Sequence, residues 1–426
     1  MAGDFGVWTT TAPAELPLPQ LAGALDADVV IVGAGYTGLS TALHLAEMGT
    51  PAVVLEARSP GWGASGRNTG WLEPNWWMNT PAKIEAKFGA ERGRELTRWV
   101  ASGPQLLARW IAAYDMRIED SRRGLLMATD NPKKAQALEA EAVEWQNAGV
   151  ANDYLDHAAI RTHIASDRYC GALWLRGGME INPLALSREL ARACVARGTR
   201  IFANSPVTTI RRDGEQWRIT CAGSEVRTRR LVVATDAYTR QLWPQITSAF
   251  SAWHCAVIAS EPYEPLRELL LSGTPFGDLN LANVFTLREA SGGRLVTSTY
   301  APVRSGLAPA AVAAPFMRKF RKLFPGRPEP RWEYAHAGEI GLTGDNLPRL
   351  CAIGPDAWTV FGYSGTGINL ALLLGAQLAQ LATDGGEERT LFPVTTPQPM
   401  PIRHILSWGL RYLHAPISRS IVSHLA

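Results

Sequence analysis

Ala27 to Val32 (ADVVIV) is an unbroken apolar, β-branched run without alternation, the pattern of a strand buried on both faces of a parallel sheet. Gly33-Ala34-Gly35-Tyr36-Thr37-Gly38 follows at once. Leu39 to Met48 then reads as a helix with Ala42 and Leu45 facing inward, ended by Gly49, and Ala52 to Leu55 is a second buried strand that stops at Glu56. From Pro81 to about Ala151 charged and apolar residues alternate at helical spacing, interrupted by one strand over Arg123 to Thr129. Leu186 to Arg197 is an amphipathic helix, and Arg200 to Phe202, Val207 to Arg211, Trp217 to Cys221 and Val226 to Val233 read as successive strands. Residues 247–331 alternate short apolar runs with Gly and Pro turns, which suits a mainly antiparallel sheet. Trp358 to Gly362 closes the pattern as a strand, followed by a long apolar helix over Gly365 to Leu381.

A strand-turn-helix unit thus opens the chain and another closes it. The pattern predicts a Rossmann-like α/β domain assembled from residues 26–96, 155–246 and 332–390, a second α+β domain on a mainly antiparallel sheet from 97–154 and 247–331, and a helical tail over 391–426. Apolar residues make up 46% and charged residues 19% of the 426, so the chain is globular. A net charge of +3 without long basic runs gives no footprint for nucleic acid. Five scattered cysteines, none spaced CxxC, indicate neither a disulfide framework nor a metal cluster and suit a reducing cytoplasm. The first 25 residues lack a basic stretch leading into an apolar one, and no run approaches the roughly 20 apolar residues of a membrane span. The 15 tryptophans are unusual and are used either in the core or in an aromatic ligand cavity.

The glycine turn has a specific chemistry. Gly33 permits the tight turn, Gly35 lets a pyrophosphate approach the backbone, Gly38 lets helix and strand pack closely, and the helix N-terminus attracts phosphate. Glu56, 18 residues beyond Gly38, ends the second strand where a carboxylate accepts hydrogen bonds from an unphosphorylated ribose, as in FAD or NAD. A second glycine-rich stretch, Gly61-Trp62-Gly63-Ala64-Ser65-Gly66-Arg67-Asn68-Thr69-Gly70, is suited to wrapping a long diphosphate-ribityl chain.

With its GASGRN core (Gly63 to Asn68), Ala165 to Tyr169 (ASDRY), Leu231 to Tyr238 (LVVATDAY) and Gly362 to Gly367 (GYSGTG), the sequence resembles the D-amino-acid-oxidase-like family of flavoproteins from about residue 28 to the C-terminal tail. The resemblance implies bound FAD. It makes Gly33, Gly35 and Gly38, with Tyr36 and Thr37, and Glu56, with Ala57 and Arg58, the ADP contacts. Gly63, Ala64, Ser65, Arg67, Asn68, Thr69 and Gly70 follow the diphosphate and the isoalloxazine edge, and the backbone of Val207 meets the adenine. Ala234 and Thr235 resemble a second flavoprotein motif in which Asp236 replaces a glycine. Gly362, Gly365, Thr366, Gly367, Ile368 and Asn369 turn backbone N–H groups and a helix N-terminus toward the flavin N1–C2=O edge, where reduction deposits negative charge.

Relatives that bind FAD covalently use a cysteine near the place of Gly338 or a histidine at the place of Arg67, so non-covalent FAD is expected here. Sarcosine-type members hold a substrate carboxylate with a lysine at Asn369 and an arginine near Glu73; both cations are missing, which favours an amine over a small α-amino acid. The candidate substrate pocket is Trp71, Glu73, Trp76, Trp77, Tyr363 and Asn369, with Glu73 facing a second ammonium and the indoles an alkylammonium, against the alternative that the indoles fill the core. His44 is expected to be packed or solvated, and no catalytic acid or base is nominated. The amphipathic tail, Pro401 to Ala426, either packs on its own domain or makes weak contact with a membrane surface. The expected activity is amine oxidation: hydride passes to flavin N5, an imine forms, and dioxygen reoxidises the flavin to give hydrogen peroxide. A dehydrogenase serving a quinone or carrier protein, and a non-catalytic FAD-binding protein, are the alternatives.

Overall fold

Two large sheets organise the chain. The structure is a computed structural model and describes residues 5–76, 78–119, 121–280, 285–299 and 308–401. In the first sheet Leu25–Val32 lies between Ser224–Val233 and Val53–Leu55, parallel to both, and Val53–Leu55 is followed by the parallel strand Arg200–Phe202. On the other side Ala357–Phe361 runs parallel to Ser224–Val233, then Arg349–Gly354 antiparallel, then the short Val394–Thr395. The meander Val207–Asp213 and Gln216–Cys221 extends from Ser224–Val233. Val29 to Val32 and Val53 to Leu55 are buried throughout, as continuous β-branched runs require in a sheet covered on both faces.

The helix Tyr36–Glu47 starts three residues earlier than its apolar pattern, because Tyr36-Thr37-Gly38 form its first turn. It packs on the closing helix Gly367–Asp384, where Gly375 permits close approach: a Cβ there would lie 2.3 Å from Ser40 Oγ, and Ser40 Oγ donates to Leu372 O at 2.7 Å. The helical region holds Pro81–Phe88, Ala90–Ala101, Gly103–Tyr114 and, after the strand Leu125–Thr129, Pro132–Asn147.

The second sheet is ordered Trp332–Leu342, Ser251–Pro262, Arg294–Thr299, Phe285–Ala290, Phe276–Asp278, Leu125–Thr129, Gly171–Leu175, Asn152–Asp156. Its pairings are antiparallel except Phe276–Asp278 with Leu125–Thr129. This corrects the boundaries drawn from sequence: Gly171–Leu175 and Trp332–Leu342, assigned there to the cofactor domain, are strands of the second sheet. Strand pairing is non-local, and neither run carries a local mark of which sheet it joins. The beginning of the expected helical tail is also corrected, since Val394–Thr395 is a strand; residues 402–426 lie outside the described part. Helix Pro309–Leu323 covers the second sheet through Phe316, Met317 and Phe320. Among the described residues no helix is long and apolar enough to cross a membrane.

Candidate active site

The carboxyl ends of the parallel strands converge on the first glycine turn. Gly33 N–H donates to Leu55 O and Ala234 N–H to Val32 O, both at 2.8 Å. Gly33 has φ +104°, and a Cβ on it would lie 2.8 Å from Ala234 O; one on Gly38 would lie 1.9 Å from Gly33 O. These two glycines are therefore demanded by the fold. Gly35 is different: its φ is −79°, and its missing Cβ faces Ser65 Oγ at 3.0 Å. Glycine there keeps open the space in front of the helix N-terminus, where an anion is stabilised. Ser65 Oγ accepts from Tyr36 N–H at 3.0 Å and so belongs to the same cradle. Glu56 accepts from Ala34 N–H at 2.7 Å and Arg58 N–H at 2.8 Å, and Ser205 N–H donates to Glu56 O, bringing the segment before Val207 alongside. The side chains of Tyr36 and Thr37 face inward: Tyr36 OH donates to Pro183 O, and Thr37 Oγ1 shares a 2.5 Å hydrogen bond with Tyr363 OH. Only their backbone remains for a phosphate. Ala57 and Arg58 are exposed beside Glu56.

The second glycine stretch is a fixed loop. Asn68 Nδ2 donates to Ala64 O and Ser65 O, and Gly70 N–H donates to Asn68 Oδ1. Gly70, at φ +75°, has no room for a Cβ, which would lie 2.1 Å from Ile181 O. The Arg67 guanidinium lies over two aromatic rings, 4.8 Å from the centroid of Phe5 and 4.7 Å from that of Trp62, and donates to Gly63 O. Gly338 faces this loop, its missing Cβ 3.3 Å from Ala64 Cα. Two residues the sequence did not reveal hold the loop from behind. Arg288 Nη1 donates to Thr69 O and Ile181 O, both at 2.9 Å, and its Nε pairs with Glu180 at 3.0 Å. Both side chains are buried, and a lone arginine in a strand has no spacing that announces such a role.

Asp236 also has a definite task. Its carboxylate accepts from Gly362 N–H at 2.8 Å and Gly341 N–H at 3.3 Å, fastening the closing turn to the end of Ser224–Val233. In that turn Gly362, Ser364 and Gly365 all have positive φ, and Thr366 precedes the closing helix. Burial pushes the Tyr363 phenol well above its ordinary range, so it stays protonated to bond Thr37.

Between this loop and the second sheet lies a cavity of about 140 Å³. Arg67 to Thr69, Trp71, Glu73 and Gly365 line one side; Met127, Cys255, Val257, Asp278, Phe285 and Gly338 line the other. The short strand Trp71–Leu72 pairs with Met179–Glu180, which sets the Trp71 ring beside Gly277 and delivers Glu73 to the cavity one residue later. Glu73 is 8% exposed, and among the described residues it has no hydrogen-bond or ion-pair partner; burial pushes its carboxyl up to about 8. Asp278, the other lining carboxylate, is satisfied: Tyr169 OH donates to it at 2.9 Å, Asn280 N–H at 2.8 Å, and Lys319 Nζ lies 2.6 Å away.

Three members of the expected pocket are placed elsewhere, the first being Tyr363, which is buried with its hydroxyl bonded to Thr37 and does not line the cavity. Asn369 is 0% exposed and donates to Val100 O at 2.8 Å, with its Oδ1 pressed against Gly103, so it joins the closing helix to its neighbours and does not line the cavity. Position 369 lies in the helix's first turn, whose inner face is taken by helix packing. Trp76 is a core residue beside Trp99 and Phe392, at ring-centroid distances of 6.2 and 6.3 Å. Trp77 lies outside the described residues. Among the described residues no group of His, Cys, Asp and Glu is placed to hold a metal.

A parallel sheet with a glycine turn, an acid at the end of its second strand and a cavity under a second sheet defines a dinucleotide-binding protein of α/β fold. Residues 28–381 match the FAD dependent oxidoreductase (DAO) family, and the chain belongs to that family. Gamma-glutamylputrescine oxidoreductase of Escherichia coli (strain K12) is 31% identical over 403 residues, covering 92% of each chain. Among solved structures, glycine oxidase from Geobacillus kaustophilus shares the fold with a TM-score of 0.70 over 84% of this chain and 95% of its own, at 20% identity. L-proline dehydrogenase from P. horikoshii does so at 0.69 over 88% and 96%, at 15% identity. The protein is an FAD-dependent oxidoreductase.

Proposed function

We propose that this enzyme is an oxidase of amines carrying a second cationic group, with FAD held non-covalently. The observation that carries the reading is Glu73, a buried carboxyl without a partner in the cavity beside the glycine-rich loop. An ammonium is the ligand that most favours ionisation of such a group, and a desolvated pair of this kind stabilises a complex far more than an exposed one. Arg67, at the described lining, lies over Phe5 and Trp62 and donates to Gly63 O, and Lys319, outside the lining, is paired with Asp278, an arrangement that favours an ammonium at Glu73 over a carboxylate as the group the cavity reads. The likeness to gamma-glutamylputrescine oxidoreductase supports an amine of this kind.

The cradle fits the cofactor through Gly35, whose Cβ would intrude on the space before the helix N-terminus, and through the Glu56 carboxylate at the ribose position. Ser65 and the backbone of Ala34 to Thr37 would face the pyrophosphate, Val207 the adenine, Ala234 and Thr235 the near side, and residues 63–70 with Gly362 and Gly365 to Ile368 the flavin end. Bound there, FAD would supply the acceptor for a hydride from the carbon next to the substrate nitrogen and the route for those two electrons to dioxygen, with hydrogen peroxide as the product. The chain's own residues supply orientation. Glu73 fixes the distant ammonium, Trp71 walls the cavity and excludes water from the C–H bond, and the turn at Gly362 to Gly367 presents N–H groups where negative charge develops.

The test is steady-state oxidation of diamines, acylated diamines and simple monoamines, with oxygen uptake and peroxide measured together. The expected result is one peroxide per amine and, in Glu73→Gln, a raised KM for the dicationic substrates with monoamines nearly unchanged. Equal effects on both classes would remove Glu73 from substrate reading, and turnover with a quinone but without peroxide would make the enzyme a dehydrogenase.

A further inference from the structure

The segment Phe5–Thr11 precedes the first strand of the cofactor sheet, and nothing in the dinucleotide-binding pattern calls for it. It is nevertheless buried against the glycine-rich loop. Phe5, Val7 and Trp8 form a cluster with Leu184, Val257, Ala259 and Val296, at 5%, 2% and 2% exposure respectively. Its polar contacts are more specific than its burial. Trp8 Nε1 donates to Asn68 O at 3.1 Å. The Phe5 ring takes one face of the Arg67 guanidinium, whose centre lies 4.8 Å from its centroid, while Trp62 takes another. The Trp8 ring carries Arg288, the residue that holds Thr69 O, at 5.2 Å. Asn182 ties the segment down from the far side, its Nδ2 donating to Trp8 O and Thr11 Oγ1, both at 2.9 Å.

Every residue from Arg67 to Thr69 is thus held, directly or through Arg288, by Phe5 or Trp8. The loop's own bonds join Gly66 N–H to Gly61 O, Arg67 N–H to Ala64 O and the Asn68 side chain to Ala64 O, Ser65 O and Gly70 N–H; the contacts from Phe5 and Trp8 add restraints from outside it, on the Arg67 guanidinium and on Asn68 O. A cation over a desolvated ring and an N–H bonded to a carbonyl both restrict the loop before any cofactor arrives, and ordering a loop beforehand raises affinity by removing its entropic cost from binding.

We infer that Phe5 and Trp8 are positioning residues of the cofactor site: the N-terminal segment is a brace that pre-orders Arg67 to Thr69 and thereby sets the affinity for FAD. The inference rests on the reading of residues 61–70 as the loop that meets FAD. By linkage the effect is reciprocal, so FAD in turn protects the segment from opening.

The test measures FAD dissociation from the full-length protein and melting of the apoprotein in parallel, for Trp8→Phe, Phe5→Leu and Phe5→Tyr. Trp8→Phe keeps an aromatic ring but removes the N–H to Asn68 and part of the ring area beneath Arg288; it should raise Kd for FAD at least about three- to tenfold, the loss expected for one hydrogen bond. Phe5→Leu should lower apoprotein melting modestly, as loss of buried ring area requires, and raise Kd by more than that loss explains, while Phe5→Tyr, which keeps an aromatic face for Arg67, should hold Kd near wild type. Limited proteolysis should cut the segment more slowly in the holoprotein. Wild-type Kd in both Trp8→Phe and Phe5→Leu overturns the brace, and so does a fall in apoprotein stability large enough to account for the flavin loss. Gly35→Val separates the two levels of argument. If it abolishes FAD binding while the brace variants bind normally, only the brace fails; if it too binds FAD normally, the assignment of the cofactor cradle fails with it.

Discussion

Replacing Glu73 by Gln should change how stability depends on pH, in a direction opposite to that of most acidic side chains. Burial without a partner raises the Glu73 carboxyl from 4.5 to about 8, so folding takes up a proton between those values. The penalty for ionising it is absent below about pH 4.5, grows as pH rises, and is complete above about pH 8. At 1.36 kcal/mol per pH unit the full gap corresponds to about 5 kcal/mol in alkaline solution and roughly 1.5 kcal/mol near pH 5.5. Gln carries no such charge. The stability of Glu73→Gln relative to wild type should therefore grow by about 3 kcal/mol between roughly pH 5.5 and pH 9, a Tm difference of a few degrees in a chain of this size. Any constant cost of the amide cancels in that comparison. The assay is thermal unfolding of both proteins across this range without amine, and a bound diamine should shrink the gap by giving the carboxylate its partner. A difference in Tm that does not vary with pH, or one that narrows on the alkaline side, would refute the reasoning.

Gly35→Val should abolish flavin retention in a folded protein, because its side chain would fill the space between the helix N-terminus and Ser65; flavin content is read from the visible spectrum. Glu56→Gln should weaken FAD binding less, by about 1–3 kcal/mol, since an amide oxygen still accepts a hydrogen bond; equilibrium dialysis checks it. Arg288→Lys should lower both flavin affinity and Tm, because an ammonium on an unbranched stem does not reproduce the pairing with Glu180 together with two carbonyl bonds; circular dichroism melts and flavin retention measure the two effects. Acid precipitation should release intact FAD into the supernatant, whereas flavin left in the pellet would mean a covalent link.

The first βαβ unit was legible because its constraints are local. Gly33 supplies the turn's positive φ and Gly38 the close approach to Gly33 O, both within the turn itself, and the acid closing Val53–Leu55 is fixed by chain order. Glu73 was legible as a carboxylate in an aromatic stretch, and Trp71 shares its cavity; the same stretch gave a misleading neighbour in Trp76, because alternation along the chain does not say which indole faces the core. Asn369 misled for a related reason: its place in the closing turn is local, but the direction of its side chain is set by Val100 and Gly103 on other helices. Arg288, Glu180, Phe5 and Trp8 act through tertiary contacts between residues distant in sequence. Asp236 was visible as a departure from a glycine, yet its two backbone partners at 341 and 362 are visible only once the strands are paired.

The central claim is that a reducible flavin and a cation-reading cavity act together on amines. Anaerobic mixing of the purified yellow protein with a panel of diamines, acylated diamines, monoamines, sarcosine and glycine tests it most directly, with the visible flavin absorbance followed in time. The account predicts rapid bleaching by amines bearing a second ammonium, slower bleaching by monoamines, and little by sarcosine or glycine. Faster bleaching by sarcosine or glycine than by any amine would contradict it.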